Sequence, residues 1–298
     1  MKLAILFWFY KEPQICKNHL ELIRRYNATI SIYGLYGGEL EDADKYKLIL
    51  GEYLDDFYIF SQNKSSSWKW HLGDLLITDW YSQRGKDLWW DTIVIIQWDM
   101  LVFGSIYELF SMLQKDSILL SGLIPIKEIE NRWIWTSTRI VPEIREQYLE
   151  FLNYVKEKYS YNQEPFACLF IVVCFPRSFL EKYSRIEQPE LGFLEYRVPI
   201  YAQIFGTPFC VARAFQISWF DDSTTSKNRE TLNAKRCDIS LITILKHLID
   251  SKGARVFHPY RKIFPLNMSQ LLWIFPIFFQ EWMDGFVNII KQIRYQKQ

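Results

Sequence analysis

The sequence predicts an α/β fold, a mostly parallel central sheet with helices on both faces. Three observations predict it. Leu3–Tyr10 and Thr92–Ile96 are unbroken apolar or β-branched runs, the pattern of strands covered on both sides. Between them strand-like and helix-like segments follow one another as β-α-β-(α)-β-α-β, the bounds of the bracketed helix unassigned. With 49% hydrophobic and 23% charged residues, a chain of 298 residues can bury a large core.

The first strand, Leu3–Tyr10, has the apolar look of a signal peptide, but Lys11 and Glu12 follow it directly and no small-residue cleavage site does. Pro13 then suits the first turn of a helix with apolar positions Ile15, Leu20, Leu22, Ile23 and Tyr26, closed by Asn27. Thr29–Tyr33 reads as the second strand, with a turn at Gly37-Gly38, and Phe57–Phe60 as the third. Ser65-Ser-Ser67 signals a helix start, and that helix runs to about Gln83, ended by Arg84-Gly85. Thr92–Gln97 is the fourth strand. Beyond Gly104 the pattern is less regular. Short strands are expected at Ile118–Gly122, Trp133–Trp135, Ala212–Ile217 and Arg255–Phe257, and a continuous one at Phe166–Phe175. Helices are expected at Pro142–Lys158 and at Gly192–Gly206, the latter interrupted by Pro199. The polar stretch Asp221–Arg236 reads as a mobile loop.

Met268–Tyr295 reads as a long helix containing nine consecutive apolar or aromatic residues, Leu271–Phe279. It either caps the core or rests on a membrane surface, with Lys291, Arg294 and Lys297 at its tail. No apolar run reaches the roughly 18 residues that span a bilayer. The formal net charge is +1 and no dense basic tract occurs, so nucleic acid is not an expected partner. Five scattered cysteines without metal-ligand spacing fit single thiols in a reducing, cytoplasmic compartment. Aromatic residues reach 17%, a surplus that suits surfaces stacking on flat rings or sugar faces. No phosphate-binding loop, dinucleotide fingerprint, nucleophile elbow or His-Glu-x-x-His motif is present.

The fourth strand runs into Asp99, and apolar residues resume immediately after it. A carboxylate there is costly unless it meets a cation or a donor. Strand carboxyl ends in an open α/β sheet are also where ligands bind. Two readings stay open: a metal- and diphosphate-binding carboxylate, or a cap for the segment starting near Gly104.

A β-α-β half, an apolar strand ending in an acidic motif and an irregular second half together resemble the GT-A class of nucleotide-sugar glycosyltransferases. That class carries Asp-x-Asp and an apolar triplet where this chain has Gln97-Trp98-Asp99 and Met100-Leu101-Val102. Glutamine replaces the first acid, so only Asp99 carries over as a metal ligand. The resemblance implies one domain over 1–298, with a Rossmann-like nucleotide-sugar-binding half (1–125), an acceptor half (126–267) and a C-terminal helix (268–298).

The resemblance further implies residue roles. His258, in Arg255-Val-Phe-His258-Pro-Tyr-Arg-Lys262, completes a Mn²⁺ or Mg²⁺ shell with Asp99; by itself it also reads as an ordinary turn residue. Glu195 is the base of an inverting reaction, with Glu190 behind it. Its other reading is a salt bridge with Arg197 or a first-turn charge. Tyr10, Lys11 and Asp74 position the nucleotide, Gln97 and Trp98 join them among the cofactor-binding residues, and His71 shares a helical face with Asp74. The implied partners are a nucleotide-sugar donor and a carbohydrate or lipid-linked acceptor. A sugar nucleotidyltransferase, a non-catalytic carbohydrate- or nucleotide-binding protein and a membrane-peripheral scaffold remain as rivals.

Overall fold

The computed structural model describes residues 1–137, 141–215, 217, 219, 231–234 and 237–267. The call on 268–298 and most of that on 221–236 lie outside the described residues.

The elements run β1 (Leu3–Phe9), α1 (Pro13–Tyr26), β2 (Ile32–Tyr36), α2 (Ala43–Leu50), β3 (Asp56–Ile59), α3 (Ser66–His71), α4 (Gly73–Gln83) and β4 (Thr92–Gln97). They continue with β5 (Leu101–Val102), α5 (Ile106–Leu109), β6 (Leu119–Leu120), β7 (Ile124–Pro125), α6 (Ile126–Ile129) and α7 (Pro142–Tyr159). The last are β8 (Phe166–Ala167), β9 (Val173–Pro176), α8 (Arg177–Tyr183), α9 (Leu194–Ile204), α10 (Leu241–Ile249) and β10 (Val256–Phe257). The main sheet has the order β3-β2-β1-β4-β9-β6. β3, β2, β1 and β4 are parallel, whereas β9 runs antiparallel to both β4 and β6.

Both faces of this sheet are buried. On one side Ala4 and Leu6 of β1 and Ile93 and Ile95 of β4 join the larger core, with Trp80 and Trp90. On the other, Ile5, Phe7, Phe9, Val94 and Ile96 pack against Leu20 and Ile23 of α1. Side chains alternate across the pleat, so these strands need apolar residues at every position. A third, smaller cluster surrounds the β5–β10 ribbon and includes Leu101, Phe103, Ile244, Phe257, Tyr260 and Phe264.

Several expectations are corrected. β2 starts three residues later than expected, because Gly34 is a strand residue: a side chain there would press on Leu54 and Phe9. The helix expected from Ser65 to Gln83 breaks at Leu72, where Gly73 lies so close to the Trp8 indole that no side chain fits. Trp133–Trp135 is a turn, and Phe166–Phe175 divides into β8 and β9 around a turn. Arg213–Phe215 is one turn of 3₁₀ helix where a strand was expected.

Candidate active site

The carboxyl ends of β1, β2 and β4 open into a cavity of about 420 Å³. Trp8, Tyr10 and Lys11 reach it from β1, Gly37 to Glu39 and Asp42 from the segment after β2, and Gln97 from β4. Ser66, Lys69 and Trp70 of α3 form the facing wall. Lys69 Nζ donates to the Gly38 carbonyl across 3.3 Å, tying that wall to the turn after β2. A Cβ on Gly38 would meet the Tyr36 phenol and the Tyr10 carbonyl, so the turn fits only glycine there.

Tyr10 is half exposed and stands edge-on to the Trp98 ring at 5.9 Å. Lys11 Nζ lies 4.9 Å from the centre of the Trp98 ring and 5.3 Å from that of Tyr10. It makes no ion pair among the described residues. Burial raises the Tyr10 phenol above its ordinary value, and Asp99 and Arg261 lie within electrostatic reach of it. Trp98 is itself buried, so it supports Tyr10 and Lys11 and offers no face to a ligand.

Asp99 sits in the turn between β4 and β5, beyond the cavity wall, and is 6% exposed. The antiparallel pairing of Leu101 with Phe257 brings the chain after β10 back onto this turn, where the Tyr260 amide donates to the Asp99 carbonyl. His258 Nε2 lies 3.4 Å from Asp99 Oδ1, and Arg261 Nε lies 3.3 Å from Oδ2. Arg261 also reaches Asp238 at 3.2 Å. Burial pushes the Asp99 carboxyl up, but His258 and Arg261 outweigh it and hold the group below its ordinary value. Oδ1 accepts no hydrogen bond among the described residues. His258 Nδ1 is 2.9 Å from the Asn233 carbonyl and donates there, which turns Nε2 toward Asp99. Asp99 does not cap the segment after Gly104: Asn27 Oδ1 accepts from the Ile106 amide instead.

His19 holds the carboxylate turn in place. It is fully buried, with Nδ1 2.9 Å from the Trp98 carbonyl and Nε2 3.2 Å from that of Lys262. Burial lowers it to about 4, so it is neutral at ordinary pH.

Gln97 and Glu195 meet at one residue. Gln97 Nε2 donates to the Phe170 carbonyl at 2.7 Å, and the Phe170 amide donates to Glu195 Oε1 at 3.2 Å. The glutamine that replaces an acid is therefore a clamp on the 168–172 turn. Glu195 opens α9, and burial pushes its carboxyl up to about 8. Its expected partner Arg197 points elsewhere. Glu190 is exposed and paired with Lys64 at 2.8 Å, which lowers it and makes it a poor base.

Asp74 is corrected outright. It is fully buried, pairs with Arg197 (Nη2 to Oδ1 2.5 Å, Nε to Oδ2 3.2 Å) and accepts from the Tyr183 hydroxyl. It lies inside the core, away from the cavity, and His71 on the far side of Leu72 bonds the Ser67 carbonyl instead. Glu39, Asp42, Lys69, Trp70 and Arg261 were not singled out from sequence. Their signals were at hand: an acid directly after Gly37-Gly38, the Trp68-Lys-Trp70 run, and an arginine three residues after His258.

No protein-family model and no curated protein matches this chain. Its fold is similar to that of an apo WbbM bifunctional glycosyltransferase, with a TM-score of 0.41 and 11% identity over 90% of this chain. The chain spans 47% of that protein, about half its length. It is also similar to the galactosyltransferase LgtC solved with donor and acceptor sugar analogues (TM-score 0.38, 13% identity, 71% of this chain and 73% of that one). A cytidylyltransferase from Leptospira borgpetersenii gives a TM-score of 0.38 at 17% identity, covering 75% of this chain and 79% of its own. At these values the likeness concerns the outline of the fold alone.

Proposed function

We propose that this chain transfers a sugar from a nucleotide-sugar donor to an acceptor hydroxyl, with Asp99 and His258 holding a Mn²⁺ or Mg²⁺ ion. The observation that carries the reading is the buried Asp99 Oδ1, which accepts no hydrogen bond among the described residues and faces the imidazole at 3.4 Å. A buried polar atom left so is costly. Carboxylate, imidazole and phosphate oxygens together make a donor set that manganese accepts. Asp99 and Asp238 share the Arg261 guanidinium, so the cluster suits a dication better than a bare diphosphate. When bound, the metal would neutralise charge on the leaving nucleoside diphosphate.

The chain's own groups do the rest. Lys11 and Lys69 offer the cavity positive charge for phosphate, while Glu39 and Asp42 offer acceptors for ribose hydroxyls or a base edge. Tyr10 offers a flat face to the base ring. Glu195, raised to about 8, takes the acceptor proton as the new bond forms.

A second reading is a non-catalytic nucleotide- or carbohydrate-binding protein. It is favoured by Arg261 already neutralising Asp99 and by Gln97 being committed to Phe170. Thermal unfolding with nucleoside diphosphates and nucleotide sugars, each with and without Mn²⁺, separates the two, because ligands of the native state raise the melting point by mass action. A metal-dependent shift by one nucleotide, absent in Asp99→Asn, is the transferase result. A metal-independent shift favours the binding protein, and no shift by any nucleotide sinks the transferase and leaves only carbohydrate binding.

A further inference from the structure

Trp70 is 63% exposed, an unusual position for an indole, and it stands in the wall of the cavity. It is not loose. Trp135 and Phe193 each lie 5.9 Å from it, His71 lies edge-on at 4.8 Å, and Trp135 stacks on Phe193 at 3.9 Å. The indole is thus braced from behind while one surface stays wet. Leaving so large an apolar face in water forgoes burial, which points to a ligand that covers it. Phe193, part of the brace, immediately precedes α9, whose second residue is Glu195. The exposed indole is thus tied through Phe193 to the start of the helix that carries the candidate base.

We propose that Trp70 is the platform on which the pyranose ring of the acceptor stacks; this rests on the transferase reading above. A pyranose has one face of C–H bonds and a rim of hydroxyls. A flat indole in the same wall as the Ser66 hydroxyl, with the Gln97 amide also lining the cavity, matches both. A nucleobase also stacks on indoles, but Tyr10, at the end of β1, already provides that face.

The test compares wild type with Trp70→Ala and Trp70→Phe. Because the side chain is exposed, the variants should melt within a few degrees of wild type. Saturation-transfer NMR with methyl glucosides, galactosides and mannosides reads pyranoside binding without needing a donor. Transfer assays with the donor found by the nucleotide panel give the two KM values. Expected are pyranoside contacts in wild type, lost in Trp70→Ala and partly kept in Trp70→Phe. The acceptor KM should rise about ten-fold, with donor KM and donor hydrolysis unchanged. A rise in donor KM instead would make Trp70 a base platform and overturn the proposal. Wild type that binds no pyranoside, or binds it equally without the indole, overturns it too. Pyranoside binding without any nucleotide binding would sink the transferase reading while leaving the platform standing.

Discussion

Replacing Asp74 by alanine decides between a nucleotide ligand and an internal strut. The Arg197 guanidinium is wholly enclosed, and besides Asp74 it has the Tyr183 hydroxyl at 3.0 Å and the Gly192 carbonyl at 2.9 Å. Neither neutral partner balances its charge. Removing one member of a buried pair typically costs about 3–5 kcal/mol, because the other charge stays behind. Against a total stability of about 5–15 kcal/mol, that is roughly a fifth of the fold or more. At about 2–3 °C per kcal/mol for a chain of this size, Asp74→Ala should melt about 6–15 °C below wild type. The double variant Asp74→Leu/Arg197→Met removes both charges and should recover a large part of the loss. Differential scanning fluorimetry and urea titration measure the stability, and the nucleotide panel run on folded protein measures binding. A variant with an unchanged melting point that no longer binds nucleotide would refute the buried-pair reasoning and return Asp74 to the donor site.

Three further outcomes are expected. Glu195 titrates near 8 when folded against an ordinary value near 4.5, so the folded state holds an extra proton between those values. Stability should therefore be full below the lower value and fall as pH rises through the upper one; urea titrations from pH 5 to 9 should show this slope, and Glu195→Gln should flatten it. Gln97→Asp, which restores the acid of the resembled motif, would set a carboxylate against the Phe170 carbonyl. It should lower the melting point without tightening Mn²⁺ binding, and calorimetry showing tighter binding would contradict the clamp. Gly73→Ala forces a methyl group onto the Trp8 indole and should cost about 1–3 kcal/mol in chemical denaturation; a neutral result would mean that Trp8 yields.

The sheet's centre was legible because strands covered on both faces must be apolar nearly throughout, as β1 is and as Ile93–Ile96 of β4 are. Edges and ribbons were not. β5 and β10 are two residues each, too short to carry a period, yet their pairing is what puts His258 on Asp99. Gly34 reads as a strand breaker until the Leu54 and Phe9 side chains that exclude a Cβ are known. The carboxylate turn was legible because it lies in one stretch, Gln97-Trp98-Asp99, and pairings with partners far along the chain were not. Nothing local marks Asp74 as the mate of Arg197, 123 residues away. Nor does a glutamine announce that it will grip a backbone carbonyl 73 residues later.

The small cluster around β5 and β10 has a consequence for how the molecule fails on heating. It holds His258 and Arg261 against Asp99, yet it stands apart from the two large cores and draws on few buried side chains. Segments with the fewest buried contacts open first, well before the whole chain gives way. Once this lobe swings off the carboxylate turn, the four parallel strands lose nothing they need, but Asp99 is left alone. On the transferase reading, activity should therefore fade before melting, at temperatures where circular dichroism still reports an intact sheet.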